Sequence, residues 1–207
     1  MKTLLRLLLT GVLVASAAQA QELRAPAGMP RMKVAFAQTT GETSIPIGWV
    51  GFCKEYPKEC AVPTLPAAEF RLTPLVWRTL VAINQKVNRT IRPITDEEHW
   101  GVAERWSYPD DGKGDCEDYV LLKRRMLMAA GVPRQVLLIT VVRDNRGEGH
   151  AVLTVATDKG DLILDNKRSQ ILPWTETGYA FLKRQSREHP NRWEGIGGAT
   201  ATATASR

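Results

Sequence analysis

The sequence predicts an α+β domain in which N-terminal helices pack on an antiparallel β-sheet, and three observations carry that expectation. Apolar residues recur at helical spacing in two stretches of the first two thirds, Val76, Leu80, Ile83 and Val87, then Tyr119, Leu122, Met126 and Ala130. Beyond Pro133 the pattern changes to β-branched and apolar runs, Val136–Val142, His150–Ala156 and Leu162–Leu164, joined by short polar links. The chain has 207 residues, enough for one substantial core and too few for two.

Residues 1–20 read as a signal peptide. Lys2 and Arg6 precede an apolar run from Leu7 to Val14, and Ala18-Gln19-Ala20 is a small-x-small cleavage site. The run is too short for a membrane span, which needs about 20 apolar residues. No later segment is long enough either, so the expected product is a periplasmic protein without a membrane span. The formal charge of +6 falls to +4 without Lys2 and Arg6. No nucleic-acid partner is implied, and the basic run Lys183, Arg184, Arg187 and Arg192 reads as a solvated face.

Residues 21–45 form a lead segment, with one short strand expected near Val34-Ala35-Phe36, and the main domain is expected over 46–190. Thr73-Pro74 supplies an N-cap and a first-turn proline for a helix over 74–88. Asn84 and Asn88, one turn apart on it, read as polar boundary residues. Thr95-Asp96-Glu97-Glu98 has the capping-box pattern. Asp115 can cap the next helix, which Gly131 and Pro133 end. The three β runs form an antiparallel meander. A terminal helix is expected over Tyr179–His189, and residues 191–207, with their Ala-Thr repeat, form a disordered tail.

The chain has three cysteines. In an oxidising compartment Cys53 and Cys60 are natural disulfide partners, being near neighbours in a Gly/Pro-bounded loop. Cys116 is left unpaired, either a core thiol or one kept free for chemistry. It occupies the first turn of a helix, where unpaired N–H groups favour a thiolate and could donate to an oxyanion. Asp115, Glu117 and Asp118 oppose that effect, since nearby carboxylates raise a thiol pKa. A protonated His150 or a bound hard cation could offset them. His150 begins one strand and Asp165 ends the next, so both fall at one edge of the hairpin, where the carboxylate could orient the imidazole.

Gly114-Asp115-Cys116-Glu117-Asp118-Tyr119, His150-Ala151-Val152-Leu153 and Leu164-Asp165-Asn166 together resemble the bacterial transglutaminase-like cysteine peptidase family. The Phe52–Cys60 loop and the Val87–Trp106 stretch also look like that family, so the resemblance spans roughly residues 45–180. It implies a papain/transglutaminase-like fold, a Cys116–His150–Asp165 catalytic triad and hydrolysis of a protein substrate in the periplasm. Relatives act on the N-terminal region of large cell-surface adhesins, so an adhesin substrate and a membrane-bound regulatory protein are the implied partners. Calcium is the implied cofactor, with Asp115 and Glu117 as its ligands. Two other readings remain open at this point: acyl transfer from glutamine to an amine on the same triad, and a non-catalytic calcium-dependent binding module.

Overall fold

Local chemistry starts three helices where the sequence places them, while residues 51–60, expected as a loop, fall largely within two more. A computed structural model of the chain describes residues 33–197. The signal peptide, the first part of the lead segment and the Ala-Thr repeat lie outside the described residues. The helices are α1 (Ile47–Glu55), α2 (Pro57–Cys60), α3 (Pro74–Thr90), α4 (Asp96–Trp100) and α5 (Cys116–Ala129). Thr73 Oγ1 accepts from the Val76 N–H at the start of α3, and Thr95 and Glu98 form the capping box of α4. At the end of α5 the Val132 N–H reaches Leu127 O and the Gly131 N–H reaches Met128 O. With Gly131 at φ +86°, this is the paired closure that glycine permits and a Cβ disfavours.

The strands are β1 (Thr39–Thr43), β2 (Arg92–Pro93), β3 (Lys113–Gly114), β4 (Leu137–Arg143), β5 (Gly149–Thr157), β6 (Gly160–Leu164), β7 (Leu172–Pro173), β8 (Ala180–Gln185) and β9 (Trp193–Ile196). Seven form one antiparallel sheet in the order β1-β9-β8-β4-β5-β6-β7, and the parallel pair β2-β3 leads the chain into α5. The expected meander is β4-β5-β6, with Val142 opposite His150 and Leu153 opposite Leu164. β5 is buried on both faces, so it carries no polar alternation. Ala151, Leu153 and Val155 join a core with Trp49, Phe52, Leu80, Leu121 and Leu127. Val152 faces a second core with Val142, Ile163, Trp174 and Phe181. Cys53 and Cys60 are disulfide-bonded, which ties α1 to α2 beside Trp49 and Phe52.

Four expectations are corrected. Residues 180–185 form strand β8 rather than a helix, pairing with β4 and β9. The tail was expected from residue 191, yet Trp193–Ile196 is β9, with Trp193 and Ile196 buried. The N-terminal strand is Thr39–Thr43 rather than Val34–Phe36, though Ala35 O does accept from the Asp161 N–H. The basic run is a solvated face only in part, with Arg192 exposed and Lys183 and Arg187 half-buried. Arg184 is buried and its Nη1 lies 2.8 Å from Asp161 Oδ2, which also accepts from the Ala37 N–H. Removing one partner of a buried ion pair strands the other charge. Arg184→Met is therefore expected to destabilise the protein by about 3 kcal/mol, read from urea unfolding; a loss below about 1 kcal/mol would show that Asp161 is satisfied without it.

Candidate active site

Cys116 is the first residue of α5, with Asp115 at the N-cap position. Asp115 was expected to cap the helix with its side chain, but it makes no capping hydrogen bond there. The approach to the helix is tight. A Cβ on Gly114 would lie 2.5 Å from Asp118 Oδ2, so this position excludes larger residues. Asp118 Oδ1 accepts from the Ser107 N–H at 2.8 Å, which pins the preceding loop to the first turn of α5. Because α5 packs on β5, the Cys116 sulfur arrives at the start of that strand and accepts from the Ala151 N–H at 3.4 Å.

His150 and Asp165 meet as the hairpin register requires. Nε2 of the buried imidazole lies 2.9 Å from Asp165 Oδ1, leaving Nδ1 as the nitrogen available to the thiol. The sulfur itself is hydrogen-bonded to Glu117 Oε2 at 3.1 Å, and none of its hydrogen bonds goes to His150. Asp165 Oδ1 also accepts from the Lys167 N–H, and Oδ2 accepts from the Tyr179 hydroxyl at 2.6 Å. These bonds outweigh burial and hold the Asp165 carboxyl below its ordinary range.

Asn84 and Asn88 do more than mark a boundary. Asn88 Nδ2 donates to Asp165 O and Arg168 O, and the fully buried Asn84 donates to Ser169 O. Helix α3 thereby fastens the loop that carries Asp165.

The opposite side of Cys116 is acidic. Asp96, Asp115 and Glu117 each offer a carboxylate oxygen, and these oxygens lie within 4.8 Å of one another. Asp115 Oδ1 is buried without a hydrogen-bond partner. Burial, then repulsion from Asp96 and Glu104, push the Asp115 carboxyl up against the lowering effect of Glu117. Burial and then the Asp115 charge push Glu117 up, and burial raises Asp118 to about 8. The thiol is pushed well above its ordinary value by burial first and then by Glu117, with the Ala151 N–H partly offsetting them. Three hard oxygen donors with an unsatisfied buried acceptor fit a calcium-like cation. The resemblance implies Asp115 and Glu117 as calcium ligands, and the fold brings beside them Asp96, whose sequence setting is that of an acid in the first turn of a capped helix.

A family model described as the bacterial transglutaminase-like cysteine proteinase matches residues 39–201. The chain belongs to this family. It is a cysteine peptidase, a hydrolase, and its helices and antiparallel sheet form a transglutaminase-like fold. The calcium-bound structure of Legionella pneumophila LapG is similar with a TM-score of 0.51 and 25% identity, covering 63% of this chain and 76% of that one. The EGTA-treated LapG structure gives a TM-score of 0.50 at 25% identity, covering 64% and 76% respectively. Comparison with curated proteins finds no match. Among the described residues no helix is long and apolar enough to cross a membrane.

Proposed function

We propose that this family member hydrolyses peptide bonds of a protein substrate through a Cys116–His150–Asp165 triad. The observation that carries the reading is the buried His150–Asp165 contact of 2.9 Å at the same strand end where the Ala151 N–H meets the Cys116 sulfur at 3.4 Å. His150 Nδ1 takes the thiol proton as Cys116 Sγ bonds to the scissile carbonyl carbon. The Cys116 backbone N–H, at the N-terminus of α5, donates to the oxyanion. The C–N bond breaks as His150 returns a proton to the departing amine. Water then attacks the thioester, giving its proton to His150, and the S–C bond breaks to release the acid and restore the enzyme. Throughout, Asp165 fixes the imidazole with its proton on Nε2.

Asp96, Asp115 and Glu117 would hold the calcium that the LapG comparison suggests. A bound dication there supplies positive charge against the acids that otherwise keep the thiol protonated. The finer reading is a periplasmic enzyme acting on a large cell-surface adhesin under the control of a membrane-bound regulator. It is supported by the signal-like residues 1–20, the disulfide and the family resemblance.

The test uses iodoacetamide as a substrate-independent probe of the thiol. With calcium at neutral pH, His150→Ala is expected to slow alkylation of Cys116 about 100-fold, read by mass spectrometry. An unchanged rate in that variant would remove His150 from the mechanism.

A further inference from the structure

We propose that Tyr179 is a positioning residue for the Asp165–His150 pair, a role that rests on the triad reading above. Its hydroxyl donates to Asp165 Oδ2 at 2.6 Å, while Oδ1 of the same carboxylate serves His150 Nε2 and the Lys167 N–H. Asp165 is 2% exposed, so without the phenol Oδ2 would be left buried with no solvent to replace the lost bond. The carboxylate would then turn or draw in water, and either change disturbs Oδ1.

The same side chain also touches the imidazole. The rings of Tyr179 and His150 meet edge to face, with centroids 5.8 Å apart and planes at 88°. One residue therefore fixes the rotation of the carboxylate with its hydroxyl and limits the tilt of the imidazole with its ring.

Tyr179 is itself held. Its N–H donates to Thr177 Oγ1, and Gly178 before it sits at φ +75°, where a Cβ would lie 2.9 Å from the Asn145 side-chain amide. The Arg168 guanidinium lies over its ring at 5.3 Å from the centroid. Burial, and then the bond to Asp165, push the phenol up to about 12, so it stays a donor across the working range. The charged and titratable groups facing this arrangement are His150 from β5, Arg168 from the loop after β6 and Lys123 from α5, while Lys167 meets Asp165 through its backbone N–H and pairs its ammonium with Asp144. Lys123 is fully buried with no hydrogen-bond partner, and burial pushes its ammonium down to about 7 while the Asp165 carboxylate opposes that shift.

The role separates from simple stabilisation by a spectroscopic readout. In calcium-loaded, ¹⁵N-histidine-labelled protein there are only three histidines to assign. At a pH where the His150 ring is neutral, its proton is expected on Nε2 alone, because Asp165 Oδ1 accepts it. Tyr179→Phe keeps the ring and removes only the hydroxyl. It is expected to mix the two tautomers and to slow iodoacetamide alkylation of Cys116 about tenfold while the protein stays folded by circular dichroism. If Tyr179→Phe keeps the single tautomer and the wild-type rate while Asp165→Ala loses both, the inference is overturned and the triad stands. If Asp165→Ala also keeps both, the triad reading itself has failed and takes the inference with it.

Discussion

Cys116→Ala is expected to abolish turnover, by about 10⁴-fold or more, while leaving the fold in place. The loss is large because no other group at the site can form the covalent intermediate. The described residues contain one free thiol, and Cys53 and Cys60 are bonded to each other. The fold should survive because Cys116 is only partly buried at the margin of the main core. Its removal costs the Ala151 N–H one long hydrogen bond, a loss of about 1 kcal/mol or less. It also removes the donor that Glu117 Oε2 uses, leaving a carboxyl already inclined to keep its own proton. The measurement is mass-spectrometric detection of new N-termini on cell-surface proteins exposed to the wild-type and variant enzymes. The wild type should generate new N-termini that the variant does not, with melting temperatures within a few degrees; undiminished cleavage by Cys116→Ala would falsify the nucleophile assignment.

The parts of this molecule that were legible in advance depend on local chemistry or short-range register. Thr73-Pro74, the Thr95–Glu98 box and Gly131 mark helix ends through contacts within a few residues. His150 and Asp165 could be paired by counting along a hairpin, since a meander leaves little freedom of register. The third core strand pair was not legible for an opposite reason. In β8, Phe181, Arg184 and Gln185 are buried, and the last two are polar. Arg184 is paired through Nη1 with Asp161, while Gln185 meets the Ile139 N–H and Pro190 O. The burial of two polar side chains erases the period-2 signal, and the partners that permit it come mainly from distant parts of the chain. Asp96 and Tyr179 carry no signal in the sequence for the same reason, because each has an ordinary local reading and meets its acidic neighbours only through folding.

Stripping the proposed calcium with EGTA is expected to have two coupled effects, and the pH dependence of stability is where they can be told apart. Buried carboxylates that titrate high in the native state bind protons more tightly there than in the unfolded chain. Asp118 at about 8 is the clearest case, and Asp115 and Glu117 shift in the same direction. Between the ordinary carboxylate range of about 4 and about 8, the native state therefore holds more protons than the unfolded state. Stability from these groups is fully present below that range and is lost as pH rises through about 8. Asp165, held low, has the opposite sign, but its contribution is lost only under acid conditions outside this window. Lys123, pushed down to about 7 by burial, opposes the acids only above about pH 7, where one group is set against three. In EGTA the protein should thus melt at least about 5 °C lower at pH 8 than at pH 6. A dication among Asp96, Asp115 and Glu117 replaces protons as the compensating charge, so calcium should shrink that difference and raise the melting temperature most at pH 8. The same compensation acts on Cys116, whose thiol is pushed up by burial and by Glu117. At neutral pH, chelation is expected to slow its alkylation about 100-fold, with recovery on adding calcium. A melting temperature that rises with pH in EGTA would contradict the acid cluster as described, and alkylation indifferent to calcium would detach that cluster from the thiol.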